Sequence, residues 1–284
     1  MESRVDRLVA SSDQAPEPAA VCVVLPLLNE ARNVRPLLEG IQAGFGARSH
    51  VVCIVDDGSR DETVALAHAA AGELAMRVHV IERVKRHAGS QRGSALVAGM
   101  KWGLEHTTAQ VFIEMDGDLS HRPEELVAGL DLVSTGQGDV AIASKYIPGS
   151  AVVNRPIGRR IVSRLCNALV RRLMNPRIRD YSNGYRFYSR RAAVLIDRTP
   201  IRYGSPIYLT EALGIWIASG LRVVEFPTTY IGRGVGESKL RIVDLAKASI
   251  AVFEIAWRLH IRGFRTRVPA GAAGLPGRSE PVEP

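Results

Sequence analysis

The chain has 284 residues, a formal net charge of +8 and a pI near 9.7. That length can bury one large α/β core, and the positive balance favours anionic partners: phosphates, acidic lipid surfaces or nucleic acid. Three cysteines, Cys22, Cys53 and Cys166, without Cys-x-x-Cys spacing, argue for buried thiols in a reducing compartment, and no long apolar leader or run of about 18 apolar residues predicts a signal peptide or a spanning helix.

Met1 to Pro18 is polar and is expected to be disordered. Ala20–Leu25 predicts a buried strand ended by Pro26. Asn29 would cap the next helix, whose apolar face is Val34, Leu37, Leu38 and Ile41. Val51–Val55 predicts a second strand. After it, Asp56-Asp57-Gly58-Ser59 leads into a helix through Ala71, with Ser59 and Glu62 at capping-box spacing. Val78–Ile81 is a third strand, Gly89–Glu105 a glycine-punctuated helix and Val111–Met115 a fourth strand. Pro123-Glu124-Glu125 opens another helix, and Val140–Ala143 is a fifth strand. Five buried strands alternating with helices predict an α/β fold with a mostly parallel, doubly wound, Rossmann-like sheet.

Beyond Lys145 the character changes. Arg155–Met174 reads as an amphipathic helix with Ile157, Ile161, Leu165, Ala168 and Leu169 on one face and Arg160, Arg164 and Arg171 on another. Such a helix either shows water a charged face or lies on an anionic membrane surface. Ile207–Ala218 predicts a helix, Arg222–Thr229 a strand and Gly232–Gly236 a flexible loop. In Arg241–Arg262 the charges Asp244, Lys247, Glu254, Arg258 and Arg262 form one narrow stripe on an otherwise apolar helix. That helix would pack on the core or lie in a lipid interface, and the sequence leaves both open. Thr266–Pro284, rich in Pro and Gly, is expected to be a disordered tail.

Three acidic signals fall at the carboxyl ends of different strands: Asn29-Glu30, Asp56-Asp57, and the pair Asp116 and Asp118. In a doubly wound sheet those ends share one edge, where ligands bind. Residues i and i+2 of an extended chain point the same way, so Asp116 and Asp118 would converge there. Paired carboxylates suit a hard divalent cation that also holds substrate phosphates. The chain lacks both the Walker loop and a Gly-x-Gly-x-x-Gly after the first strand, which excludes those phosphate cradles. No His pair or Cys/His cluster has zinc spacing, and His87, His106, His121 and His260 read as scattered surface residues.

Leu-Pro-Leu-Leu-Asn-Glu, Val-Asp-Asp-Gly-Ser-Arg-Asp-Glu-Thr, Met-Asp-Gly-Asp-Leu-Ser-His-Arg-Pro, Ser-Asn-Gly-Tyr-Arg-Phe-Tyr and Gly-Glu-Ser-Lys-Leu occur here in that order. By these motifs the chain, over about residues 20 to 262, resembles the family 2 glycosyltransferases of GT-A fold, and among them the polyprenol-phosphate (dolichol-phosphate) mannosyltransferases. The resemblance implies a catalytic domain over residues 19–240, then an amphipathic interfacial helix over 241–265. It implies that Pro26, Asn29, Glu30, Asp57, Asp116, Gly117 and Asp118 bind a nucleotide-sugar, with Asp57 near the base. Asp116 and Asp118 would hold Mg²⁺ or Mn²⁺ against the donor diphosphate. Arg186, Ser238 and Lys239 would bind a phosphate, and Asp116, Asp118, Arg186 and Lys239 form the implied catalytic set.

The activity so implied is metal-dependent inverting transfer of a hexose, mannose from GDP-mannose, to a polyprenyl monophosphate. It would take place at the cytoplasmic membrane face, with peripheral membrane contact and no nucleic-acid partner. An acceptor phosphate is already anionic, so no strong general base is needed. The segment Gly89-Ser90-Gln91-Arg92-Gly93-Ser94-Ala95 departs from the Gly-Leu-Gly pattern of relatives near the nucleotide. A soluble enzyme of the same fold, glycosylating a small metabolite from a UDP- or other nucleotide-sugar, is the alternative. A basic nucleic-acid-binding module would leave the three acidic strand ends unexplained.

Overall fold

The computed structural model describes residues 18–84, 91–232 and 242–260. The first half alternates as the sequence predicts: β1 (Val21–Leu27), α1 (Ala31–Phe45), β2 (His50–Asp56), α2 (Thr63–Glu73), β3 (Val78–Glu82), α3 (Arg92–His106) and β4 (Val111–Glu114). A 3-10 turn, Pro123–Glu125, leads into α4 (Leu126–Ser134), followed by β5 (Val140–Ser144). The second half contains β6 (Ala151–Val153), α5 (Ile157–Leu173), β7 (Arg186–Ser189), α6 (Arg190–Asp197), α7 (Tyr208–Ala218), β8 (Val223–Pro227), β9 (Thr229–Ile231) and α8 (Ile242–His260).

Seven strands form one sheet in the order β3-β2-β1-β4-β7-β5-β8, and β6 and β9 pair as a small parallel ribbon. Alternation along the strands splits the core into two layers. Val21, Val23 and Leu25 pack with Leu37, Leu38 and Ile41 of α1. Cys22, Val24, Cys53 and Val55 face α3 and, through one continuous cluster, Trp216 of α7 and Ile255 of α8. Burial pushes the Cys22 thiol up to about 12, in keeping with an inert strand residue. Helix α3 lies close on the sheet, because a Cβ at Gly103 would meet Phe112 and Cys22 at 2.7 and 2.8 Å.

Several local expectations are corrected. Pro26 does not end β1 but pairs with Val55 inside it. The Val24 carbonyl accepts from Met115 N–H and the Leu27 carbonyl from Asp57 N–H, so strand alternation turns Pro26 toward β4, whose pairing already stops at Glu114. Asn29 does not cap α1. Its backbone is left-handed (φ 55°), its Oδ1 accepts from Arg60 N–H, and the free Ala31 N–H is met by Asp61. The Ser59/Glu62 capping box does not form either, because Ser59 Oγ is engaged by Asp56, and Asp61 accepts from Thr63 N–H at the start of α2. Strand β7 was not expected. It runs antiparallel between β4 and β5, sending Phe187 into one core layer and Tyr188 into the other.

Candidate active site

From β1 the chain winds outward through β2 and β3, and it then returns to place β4 on the other side of β1. The switch point therefore lies between the carboxyl ends of β1 and β4, the place where open α/β sheets bind ligands. The Asp116–Asp118 turn folds over the end of β1. A Cβ on Gly117 would collide with Leu27 Cδ2 and sit 3.3 Å from Glu30 Cγ, so glycine is required for the close approach. Asp118 Oδ1 accepts from Ser120 N–H at 3.1 Å. Between them Leu119 is left-handed (φ 59°), a strained backbone of the kind found at functional sites.

The flanking signals are brought to the same edge. Glu30 donates its N–H to Thr63 Oγ1 at 2.8 Å, and its carboxylate accepts from Asn33 Nδ2 at 2.6 Å. Asn29, exposed, donates its N–H to Ser59 Oγ at 2.8 Å. Asp56 is buried and takes the N–H groups of Gly58 and Ser59, so it organises the turn rather than facing a ligand. Asp57, the next residue, is largely buried and paired with Arg83 at 3.1 Å.

Two residues of the edge were not assigned from the sequence. His121 is not a surface residue. It is buried, stacked on Tyr185, and its Nδ1 accepts from Asp116 N–H at 3.1 Å. That acceptor role places the ring proton on Nε2, which donates to Asn183 Oδ1 at 3.1 Å. Burial first, and then the Arg92 charge, push the His121 pKa down to about 3. The ring is neutral at physiological pH, so its 3.5 Å approach to Asp116 Oδ2 is a polar contact rather than an ion pair. The second residue is Arg92, at the start of α3. It forms an ion pair with Asp116 and donates Nε and NH2 to Glu114 Oε1 at 3.1 and 2.9 Å. A signal for both was present: His121 lies in the Asp116 motif itself, and Arg92 in the segment that departs from the family pattern.

Cations also gather past β5. Lys145 is buried 3.7 Å from Asp180 and 5.0 Å from the Tyr230 ring centroid, with Arg155 on the same ring at 5.8 Å. Burial lowers the Lys145 pKa. Burial also opposes the Asp180 charge, but Lys145 and the N–H donors outweigh it and hold that carboxyl below its usual range. Tyr230 sits edge-on to His121, so this cluster adjoins the Asp116 turn.

Arg186 is not brought forward as a phosphate cation. It is completely buried, and its guanidinium donates to the carbonyls of Asn183, Leu209 and Tyr181 at 2.8, 2.8 and 3.1 Å. A guanidinium used up on three carbonyls braces the loop before β7. Ser238 and Lys239 lie outside the described residues.

The two amphipathic helices each keep apolar side chains at the surface. Helix α5 is anchored through Ser163, bonded to Tyr146 OH, and through Asn167, which accepts from Tyr181 N–H. Its apolar face points outward, with Ile157 and Leu165 73% and 66% exposed. Helix α8 packs on α5 and α7 and buries Val252, Ile255 and Leu259. Its charges Glu254 and Arg258 pair with Arg202 and Glu211 of the protein, leaving Ile250, Phe253 and Trp257 69%, 54% and 58% exposed. No described helix is long and apolar enough to cross a membrane.

A doubly wound sheet carrying an Asp-x-Asp turn at its switch point has the plan of the GT-A glycosyltransferases, and solved structures bear this out at the level of fold. Glucosyl-3-phosphoglycerate synthase from Mycobacterium tuberculosis, in complex with Mn²⁺, UDP and phosphoglyceric acid, superposes with a TM-score of 0.60 at 20% identity, over 84% of this chain and 78% of that one. The chain belongs to glycosyl transferase family 2, whose family model matches residues 22–195, and it is a glycosyltransferase. It is 37% identical to the polyprenol monophosphomannose synthase of Mycolicibacterium smegmatis over 245 residues, 86% of this chain and 89% of the relative. It is 32% identical to the undecaprenyl-phosphate mannosyltransferase of Micrococcus luteus over 251 residues, 87% of this chain and 98% of the relative.

Proposed function

We propose that this enzyme transfers a hexose, mannose from GDP-mannose, with inversion onto a polyprenyl monophosphate, using a divalent cation. The observation that carries the reading is the Asp116–Asp118 turn packed over β1 beside Glu30, in a chain similar along most of its length to two enzymes named for mannosylating polyprenyl phosphates. Among the described residues no group of three His, Cys, Asp or Glu side chains could hold a metal ion by itself. Two carboxylates fit Mg²⁺ or Mn²⁺ only with donor oxygens completing the shell, as Mg²⁺ sites with substrate phosphates do. Asp116 already carries a cationic group in the ion pair with Arg92, so its carboxylate accepts positive charge at that point. When bound, the ion would neutralise charge developing on the departing nucleoside diphosphate.

The chain's own residues would do the rest. Asn29, Glu30 and Asp57, with Pro26 and Gly117 beside them, would bind the nucleoside-diphosphate part of the donor. His121, neutral, fixes the Asp116 backbone through its Nδ1. An acceptor phosphate oxygen would attack the anomeric carbon as the bond to the donor phosphate breaks. Because that oxygen is already anionic, no protein base takes a proton. Arg155, beside Tyr230 and adjoining the Asp116 turn, is a suitable cation for the acceptor phosphate.

The outward apolar faces of α5 and α8, rimmed by arginines of α5, would rest the enzyme on the cytoplasmic membrane face where such a lipid resides. The test is label transfer from GDP-mannose or UDP-glucose to a short polyprenyl phosphate, with and without Mn²⁺ or Mg²⁺. Metal-dependent label in a butanol extract, absent in Asp118→Ala, is expected. Donor hydrolysis with no extractable product would shift the acceptor to a soluble metabolite.

A further inference from the structure

Arg92 does something the family reading does not account for. Its guanidinium spans two carboxylates, with Nε and NH2 on the fully buried Glu114 and NH1 on Asp116. Glu114 is itself held by the hydroxyls of Tyr188 and Tyr208, and Tyr208 OH also lies 3.1 Å from Arg92 Nε. Gly184 walls the other side, since a Cβ there would collide with Arg92 NH2. The guanidinium is thus held by a prebuilt network and aimed at the largely buried Asp116. A surface arginine would not be fixed in this way.

We infer that Arg92 is a resident counter-cation of Asp116 that a divalent ion must displace, so that metal binding is coupled to arrival of the donor diphosphate. The inference rests on the metal-dependent reading above. A guanidinium and a divalent ion would compete for the Asp116 carboxylate and repel each other across it. Without donor, Arg92 weakens metal binding. Once a diphosphate is present, its oxygens offer Arg92 a second anionic partner in the fork geometry that guanidinium favours, and Asp116 is released to the metal. Metal and nucleotide then strengthen each other's binding, and the coupling is reciprocal.

The measurement is a Mn²⁺ titration of the full chain by electron paramagnetic resonance, with and without GDP, comparing wild type with Arg92→Leu. Arg92→Leu is expected to bind Mn²⁺ about tenfold or more tightly than the wild type without nucleotide, and GDP to enhance its Mn²⁺ affinity less than it does for the wild type. Should Arg92→Leu fail to fold with Glu114 left unpaired, the Arg92→Gln/Glu114→Gln pair removes both charges and should give the same gain. Equal or weaker Mn²⁺ affinity in the folded variant overturns the role of Arg92, while GDP-dependent Mn²⁺ binding by wild type would leave the metal site standing. No Mn²⁺ binding by any form, with or without GDP, overturns the metal reading and this inference together.

Discussion

Gly117→Ala tests how the Asp116–Asp118 turn is held. The backbone of Gly117 does not require the left-handed region, so alanine costs nothing through φ. The cost is contact. The new Cβ would fall inside the 3.0 Å that real Cβ atoms do not cross, against Leu27 Cδ2, and would press on Glu30 Cγ at 3.3 Å. Leu27 is 1% exposed in the core layer, so it has little room to swing away. Overpacking of this kind costs about 1–3 kcal/mol, which predicts a melting temperature lower by several degrees.

The turn, whose Asp116 and Asp118 are partly exposed, is the softer partner and should give way, carrying Asp118 out of place. A displacement approaching 1 Å predicts a loss on the order of 10²-fold in kcat/KM. Adding Leu27→Ala removes the colliding methyl at a stability cost of about 2–5 kcal/mol, yet it should restore part of the activity. Activity and stability would then be non-additive in a double-mutant cycle. The assays are thermal melting and initial-rate kinetics with the lipid acceptor. Wild-type kcat/KM and melting temperature in Gly117→Ala would refute the argument that this contact sets Asp118.

Two further outcomes are expected. Phe253→Ser/Trp257→Ser leaves the melting temperature within about 1 °C, because both side chains point outward, but weakens sedimentation with anionic vesicles about tenfold or more, taking about 1.5–3 kcal/mol per apolar side chain buried; unchanged sedimentation would remove these residues from the lipid contact. Lys145→Met leaves Asp180 buried without its cation and should destabilise the fold by about 3–5 kcal/mol at pH 7. Because the folded Asp180 pKa is depressed below 3.8, its contribution in the wild type is fully present above that value and is lost as pH falls through the folded one. In the variant the carboxyl loses its main charged support, so acid loss begins at higher pH. Urea midpoints from pH 3 to 7 that match the wild type would contradict this.

Local periodicity and motif spacing determined the alternating strands and helices up to β5, because apolar runs and helical faces are short-range signals. They also determined that Glu30, Asp57 and the Asp116–Asp118 pair lie at strand ends, and parallel strands turn those ends to one edge. Capping at Asn29 could not be read locally, because Asp61, Thr63 and Arg60 reach in from the loop after β2, whereas at Ser59 the competitors are its close neighbours Asp56 and Asp61. Strand β7 is four residues long and buried on both faces, too short to show a period. Its insertion between β4 and β5 is a long-range pairing that no window of sequence contains.

Burial decided the remaining roles. The same arginine chemistry placed Arg186 on three carbonyls in the interior and Arg92 on the carboxylates at the edge. His121 became a neutral brace for Asp116 only because Tyr185 and Asn183 close over it. The sequence by itself determined that acidic residues gather at the carboxyl ends of strands on one sheet edge. The tertiary structure alone decided that Arg186 and His121 are buried and that Arg92 meets Asp116, because desolvation and partner choice depend on residues brought together from distant parts of the chain.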